Sequence, residues 1–339
     1  MRLPIDIDGS RGEGGGQILR TALALSIVTG RKLRMKRIRA GRKHPGLQRQ
    51  HLACVDAAAK LCGAKLALPE LGAQELVFAP GEDRPAELAV DIGSAGSTLL
   101  VVQTIVCAAI ARGQTVRATI SGGTHNPLAP PFEFVDRVFV PRLRAMGADL
   151  AVTMERHGTL PDGNGRVVLE VRGGKLQPIA LVEAGAVVSR RAIAIVAKLP
   201  RHVADRECAV AQERLRDPEC EIRELADCGP YNCFMAEVEL ASGARELCTS
   251  HGRKGYPAED VADDALDDLE DFLEGGVPVG EHLADQLLLP LALAGGGRFR
   301  TLAPVTSHVE TNLATIREFL DVPIRIEEHE DVAEVILGA

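Results

Sequence analysis

Three stretches of this chain repeat one pattern. A glycine-rich turn opens an apolar helix-like run of about 15 residues, a second glycine closes it, and a strand with alternating polar and apolar positions follows. The runs go from Gly12-Glu13-Gly14-Gly15-Gly16 to Gly30, from Gly93-Ser94-Ala95-Gly96 to Gly113, and from Gly280-Glu281-His282 to Gly295-Gly296-Gly297. Each is echoed by a second predicted helix, Pro45 to Cys62, Pro131 to Met146 and Ser307 to Leu320. The first two of these end alike, in Gly63-Ala64-Lys65-Leu66 and Gly147-Ala148-Asp149-Leu150. The implied unit is strand, helix, strand, helix, strands. The competing reading is three unrelated glycine-bounded helices in one large α/β enzyme, because glycine is a general helix stop.

The spacing of the copies predicts an insertion. Gly30 and Gly113 lie about 83 residues apart but Gly113 and Gly295 about 182, so the third copy arrives about 99 residues late. A segment of small-domain size is therefore expected between copies two and three, bordered near Val182-Glu183-Ala184-Gly185 and Glu274-Gly275-Gly276-Val277-Pro278. The expected organisation is a discontinuous repeat domain, 1–183 and 277–339, with a small α/β domain at 184–276.

Composition narrows the class without naming a chemistry. The 339 residues are 46% hydrophobic and 25% charged, an ordinary globular balance for two domains and a buried core. The start Met1-Arg2-Leu3-Pro4-Ile5-Asp6 lacks a signal-peptide core, and the longest apolar run, Leu99 to Ala111, is too short to span a bilayer. No membrane and a cytoplasmic location are the expectation, with the eight cysteines as reduced thiols. Cys208, Cys220, Cys228, Cys233, Cys248 and His251 crowd the insert, but no pair has zinc-ribbon spacing.

The net charge of −8 argues against broad coating of nucleic acid, yet the charge is uneven. Arg31, Lys32, Arg34, Lys36, Arg37, Arg39, Arg42 and Lys43 follow one another with no acid between them, a local anion site on an acidic protein. The counterweight, Glu259 to Asp271, reads as an amphipathic helix with a solvated acidic face. With aromatics at 3% and no tryptophan, stacking platforms for single strands are missing, so a phosphate-bearing partner would be gripped at an end.

Four segments carry candidate chemistry. In Gly12-Glu13-Gly14-Gly15-Gly16-Gln17-Ile18-Leu19-Arg20 the glycines turn tightly before a helix N-terminus that favours anions, without matching a Walker loop or the dinucleotide fingerprint. Glu13 would repel a phosphate there unless a metal ion mediates; a plain capped helix start is the alternative. In the second segment Arg39 and Arg42 sit on a strand-to-helix connection, with Gln50 and His51 about one turn into the helix. Arginine forks suit bidentate phosphate contacts, although a basic loop is often merely solvated. The loop Ser121-Gly122-Gly123-Thr124-His125-Asn126-Pro127-Leu128-Ala129-Pro130-Pro131 is rigid, either site-lining or structural. Finally, Ser307 and Glu310 have capping-box spacing, which puts His308 in the first turn of a helix. The positive helix end keeps an imidazole neutral and nucleophilic, and free N–H groups nearby can bind the phosphate it attacks. A structural histidine beside a cap is the alternative.

Together these segments resemble the RNA 3′-terminal phosphate cyclase family over essentially the whole chain. The resemblance rests on Gly12 to Arg20, Arg39-Ala40-Gly41-Arg42, Pro45-Gly46-Leu47, Arg49-Gln50-His51, Gly93-Ser94-Ala95-Gly96-Ser97 with Gln103, Ser121-Gly122-Gly123-Thr124, Leu283-Ala284-Asp285-Gln286 and His308. It implies an α/β (α+β) fold of three βαβαββ-type repeats, on a scaffold shared with enolpyruvate transferases, plus the small inserted α/β domain. It also implies a ligase activity, the ATP-dependent conversion of an RNA 3′-terminal phosphate to a 2′,3′-cyclic phosphate through a histidyl-AMP and an RNA 3′-adenylate. His308 matches the nucleophile. Gln103, His282, Leu283, Ala284, Asp285 and Gln286, with Pro130 against adenine, look like the ATP pocket. Arg20, Arg39, Arg42, Gln50 and His51 look like holders of ATP phosphates or the RNA end, undivided between the two. Glu13 looks like an acid linked to magnesium or manganese. The expected partners are ATP and RNA with a 3′-terminal phosphate, and a homodimer is allowed.

Departures from the family pattern are local. His157-Gly158-Thr159-Leu160-Pro161-Asp162-Gly163-Asn164-Gly165 carries Asn164 in place of the middle glycine, and asparagine tolerates left-handed geometry. His282 stands where a tyrosine is common, and His125 where an aspartate is familiar. A non-catalytic cyclase-like ribosome-biogenesis factor and an enolpyruvyl-type transferase are the alternatives; His308 with Glu13 and Gln103 speaks against the first, and no loop predicts a phosphosugar site for the second.

Overall fold

The computed structural model describes residues 3–338, so the outermost residues of the expected 1–183 and 277–339 segments lie outside the described residues. The chain runs β1 (Ile5–Asp8), α1 (Gly16–Thr29), β2 (Leu33–Lys36), α2 (Arg49–Cys62) and β3 (Leu76–Phe78) as a first unit. A second unit follows as β4 (Glu87–Asp91), α3 (Thr98–Ala111), β5 (Val116–Gly122), a π-wound stretch Phe134–Phe139 that continues into α4 (Val140–Ala145), β6 (Ala148–Arg156) and β7 (Gly165–Gly174). After β8 (Ala180–Leu181) come β9 (Val187–Ala197), α5 (His202–Arg214), β10 (Glu219–Leu225), β11 (Tyr231–Leu240), β12 (Arg245–His251) and α6 (Ala258–Glu274). The chain ends with α7 (Glu281–Leu293), β13 (Gly297–Leu302), α8 (Ser307–Phe319), β14 (Ile324–His329) and β15 (Val332–Leu337).

Each unit builds its own small mixed sheet. The orders are β1-β2-β3, β4-β5-β7-β6 and β14-β15-β13-β8. In all three the first two strands pair in parallel across a helix, as a strand–helix–strand connection requires. The first unit closes with the single antiparallel strand β3, while the other two close with a pair. Because β8 pairs with β13, the third unit begins before the intervening segment, which interrupts that unit between its first strand and first helix instead of lying between units two and three.

Strand burial alternates, as in β2, where Leu33 and Met35 are buried towards the helices and Arg34 and Lys36 are exposed. The helices meet one another in the middle, α1 on α8, α2 and α3, and α7 on α8 and α3. The central helix is α3, apolar almost all round, and from Thr98 to Ile110 only Gln103 escapes full burial.

The intervening segment forms a sheet of order β10-β9-β11-β12 whose two faces belong to different cores. Ala192, Ala194, Val196, Phe234, Ala236 and Val238 pack under α5 and α6 with Ala204, Ala211, Leu266 and Phe272. The alternate positions Ile193, Ile195, Ala197, Cys233 and Met235 join the core of the repeat units. Period-two alternation thus joins the insert to the scaffold, which covers half of its apolar surface. The acidic face of α6 is not simply solvated: Arg214 of α5 bridges Asp263 at 2.8 Å, Asp267 at 2.7 Å and Glu270 at 2.8 Å, and Arg206 pairs with Glu259. All eight cysteines are free, and among the described residues no helix is long and apolar enough to cross a membrane.

Candidate active site

The starts of α1 and α8, far apart in sequence, come together at one end of the helical layer. Thr306, not Ser307, caps α8, its hydroxyl accepting from the Val309 N–H at 3.3 Å. His308 is therefore the second helical residue, and its side chain is 52% exposed. The Glu13 N–H donates to Thr311 Oγ1 at 3.0 Å, tying the glycine turn to α8.

A buried relay fixes the histidine's tautomer. Asp285 accepts from Gln17 Nε2 and, at 2.8 Å, from Asn312 Nδ2, while Thr21 Oγ1 donates to Asn312 Oδ1 at 2.7 Å. Burial pushes the Asp285 carboxyl up to about 6, so near neutral pH it is mainly ionised and can only accept. With its NH2 committed to Asp285, the Gln17 amide presents Oε1, 3.2 Å from His308 Nδ1. An acceptor there holds the proton on Nδ1 and leaves the Nε2 lone pair free.

That free nitrogen points towards charge. His308 Nε2 lies 3.9 Å from Glu13 Oε1, and Arg42 pairs with the same carboxylate while its Nη2 also donates to the Glu13 carbonyl at 2.9 Å. Glu13 Oε2 is buried without a hydrogen-bond partner among the described residues. Among the described residues no group of three or more His, Cys, Asp or Glu is placed to hold a metal. A single orphaned carboxylate oxygen fits an ion whose remaining ligands are water and substrate phosphate, as is usual for magnesium.

Beside the relay a cleft is lined by Gln17, Arg20, Thr21, Gln103, Cys107, Phe139, Asp285, Gln286, Leu289 and Asn312. Three of its polar groups lack partners. Gln103 Nε2 and Gln286 Oε1 are buried and unbonded, and the Arg20 guanidinium makes no hydrogen bond or ion pair among the described residues, Asp285 and Cys54 acting on it only through space. A half-buried, unpaired guanidinium beside an orphaned donor and an orphaned acceptor is a site built for an anionic, hydrogen-bonding ligand.

His51 joins this cluster from α2. The helix begins at Arg49, so Gln50 and His51 fall in its first turn instead of one turn in. His51 Nδ1 accepts the Gln48 N–H at 3.0 Å, which places the proton on Nε2. Burial, then Arg39 and Arg20, push its titration down to about 3, keeping the ring neutral. A Cβ on Gly16 would lie 2.4 Å from His51 Nε2 and 3.2 Å from Arg20 Nη1, so a glycine is required where these groups converge on the start of α1.

Other expected residues lie to the side or are otherwise engaged. Arg39 donates to the carbonyls of His44 at 2.6 Å and Gly46 at 3.1 Å, bracing the basic loop. Gln50 Oε1 accepts from the Ser97 N–H at 3.5 Å and faces the second unit. Leu283 and Ala284 turn into the core, so of that stretch Asp285 and Gln286 face the cleft. His282 is exposed, its ring 6.4 Å from that of Phe134, and Pro130 is half-buried outside the cleft lining. The basic run is partly neutralised, Arg34 by Asp6 and Arg37 by Asp8. His125 is fully buried between Thr124 Oγ1 at 2.8 Å and Glu133 Oε2 at 2.7 Å. Asn164 sits at φ 57°, as its left-handed tolerance allows, and pairing resumes at once with Gly165 opposite Gly122.

Sequence reasoning did not single out Gln17, Thr311 or Asn312. Gln17 stood inside a quoted motif, but its role depends on Asp285, 268 positions away. Asn312 had a signal of its own, lying one helical turn after His308 on the same face of α8.

Comparison with known proteins gives the family. The sequence model of the family described as RNA 3′-terminal phosphate cyclase matches residues 11–326. The chain is 46% identical over 323 residues to an RNA 3′-terminal phosphate cyclase of Ectopseudomonas mendocina, covering 94% of each protein. It is 43% identical over 338 residues to that of Koribacter versatilis, covering 98% of this chain and 95% of the relative. Against that of Salmonella agona it is 41% identical over 336 residues, covering 98% and 97%. The chain belongs to the RNA 3′-terminal phosphate cyclase family.

Proposed function

We propose that this member of the family uses ATP to close an RNA 3′-terminal phosphate into a 2′,3′-cyclic phosphate, with His308 as the residue that carries AMP. The observation that carries the reading is the relay from Asp285 through Gln17 to His308 Nδ1, which leaves the Nε2 lone pair available beside Glu13 and Arg42. In the first step Nε2 attacks the α-phosphorus of ATP, the Pα–O–Pβ bond breaks, and pyrophosphate leaves. The ring gains positive charge, which the Gln17 oxygen on Nδ1–H stabilises. An oxygen of the RNA 3′-phosphate then attacks the same phosphorus and breaks the P–N bond. Last, the vicinal 2′-hydroxyl attacks the 3′-phosphorus and gives its proton to solvent, the P–O–P bond to the adenylate breaks, and AMP leaves with the electron pair, a step that asks mainly for orientation and charge neutralisation.

The chain's own groups divide this work. Arg20, with the orphaned amides of Gln103 and Gln286, would hold the nucleotide, and the neutral Nε2–H of His51 would donate to a phosphate oxygen near the start of α1. Glu13 would hold magnesium or manganese through its unpartnered oxygen; the ion, when bound, offsets triphosphate charge that this carboxylate would otherwise repel. Eight free thiols fit the reducing cytoplasm as the place of action.

Incubation with α-labelled ATP and a divalent cation, followed by a denaturing gel, tests the covalent step. Wild type should carry an acid-labile label and His308→Ala none. An unlabelled wild type would refute the covalent mechanism.

A further inference from the structure

The inserted segment reaches the start of α7 through one carboxyl group. Glu246 on β12 is 4% exposed, and its Oε2 has no hydrogen-bond partner among the described residues. It lies against Gly280, the residue that caps α7, so closely that a Cβ there would fall 2.1 Å from Oε2 and 2.6 Å from the carboxyl carbon. Five residues on, the same helix delivers Asp285, which holds Gln17, and then Gln286, which lines the cleft. Around this contact β12 packs on the π-wound stretch, whose Phe134 reaches the His282 ring. Arg137 of that stretch pairs with Glu237 of β11 at 2.9 Å, and Arg142 of α4 donates to the Gly243 carbonyl at 2.6 Å.

We propose that Glu246 is a positioning residue through which the inserted segment sets the start of α7 and, with it, the nucleotide end of the cleft. This rests on the reading of that cleft as an ATP site. The group acts in its neutral form. Burial is the largest influence on it and pushes its titration up to about 8, against the N–H groups of Leu247 and Gly280. The charges that act on it are acidic, Asp268 from α6 and Glu281 from α7, and the Cys248 thiol on its own strand lies near the same acids and Asp271. A carboxyl whose folded value is raised supports the docked state fully below its ordinary range and loses that support as pH rises towards the raised value. Alkaline pH should therefore loosen the start of α7 before it touches the relay.

Equilibrium titration with ATP across pH, on wild type, Glu246→Gln, Glu246→Ala and Gly280→Ala, tests this. Wild-type affinity should weaken about 10-fold from about pH 6.5 to about pH 9, whereas Glu246→Gln, an isostere that cannot ionise, should bind tightly throughout. Glu246→Ala should bind about 10-fold more weakly than wild type at the lower pH with its rate at saturating ATP largely kept. Gly280→Ala should weaken binding too, and Glu246→Ala added to it should recover part of the loss, since the new methyl then has room. Melting curves separate misfolding from misplacement. If Glu246→Gln and Glu246→Ala both bind ATP as wild type does at every pH, the proposal is wrong. The label on His308, followed in parallel, keeps this apart from failure of the cyclase reading, which would show as wild type unlabelled.

Discussion

Two arginines show how differently the scaffold and the insert use charge. Arg214 sits on the insert with three carboxylates of α6 within 2.8 Å, every donor direction engaged. Arg20 sits half-buried in the cleft where all three units meet, with no hydrogen-bond or ion-pair partner among the described residues. The first is a fastener between helices. Leaving a guanidinium unpaired and partly desolvated costs stability, and a fold keeps such a group where a ligand completes it. Arg20 does not stand alone: Gln103 Nε2, Gln286 Oε1 and Glu13 Oε2 are orphaned around the cleft among the described residues, as Glu246 Oε2 is where the insert meets α7.

If this contrast is right, disturbing the cleft should damage chemistry and spare the fold, and disturbing the insert's clamp should do the reverse. The largest effect is expected at the relay. In Asp285→Asn the new amide can donate, so Gln17 is free to flip and the wrong nitrogen of His308 can take the proton. Adenylylation should fall about 10³-fold, in the range of other wrong-tautomer variants. The folded protein should be at least as stable, since a carboxyl raised to about 6 by burial pays for its ionisation at neutral pH. In wild type the same group predicts an acid limb. As pH falls through about 6 it takes a proton, loses its hold on Gln17 and Asn312, and the label on His308 forms more slowly even as the fold gains stability. Rate and melting temperature moving together across that range would contradict this assignment.

A smaller effect, about 10²-fold, is expected for Arg20→Met in the rate of label formation at low ATP. Calorimetry should find its melting temperature unchanged or higher, because no native pair is broken. A marked drop in stability would show that Arg20 has a structural role and erase the contrast with Arg214.

Arg214→Met should leave labelling as it is and cost about 1 kcal/mol in denaturant unfolding, discounted because the three carboxylates are mostly exposed and salt screens them. High salt should shrink that cost. Loss of activity with intact stability would instead place the α5–α6 face in the reaction.

The contrast also marks what could be read from the chain. Repeat units were legible because glycine stops and apolar periodicity are local, and α1, α3 and α7 lie within the runs that announced them. The insert's existence was legible as a delay in the third copy. Its attachment was not: the two-residue strand β8 is too short to carry a pattern, and only its pairing with β13 reveals that the third unit starts first. In the site, His308, Glu13 and Gln103 stood out as chemically odd residues in structured surroundings. Gln17 and Asn312 did not, because an amide is informative only through its partner, and theirs is Asp285, in another unit from Gln17 and on another helix from Asn312. The expected cap, Ser307 for Thr306, missed by one position because the neighbouring residue also carries a capping hydroxyl and serine is intrinsically the stronger of the two.

Asn164 offers the finest test, since it is a polar residue that belongs to neither pattern. It holds φ 57° one residue before β7 pairs with β5, and its carbonyl accepts from the Arg156 Nε. Its reason for being there is backbone geometry, so the side chain should be dispensable while the left-handed turn is not. Asn164→Gly should change stability by no more than about 0.5 kcal/mol, and Asn164→Val, β-branched and ill suited to positive φ, should cost about 1–2 kcal/mol. Labelling should be unaffected in both. A glycine variant that lost activity would mean that the Asn164 amide reaches the RNA end, and the line between ligand-completed and structural polar groups would have to be moved to include this turn.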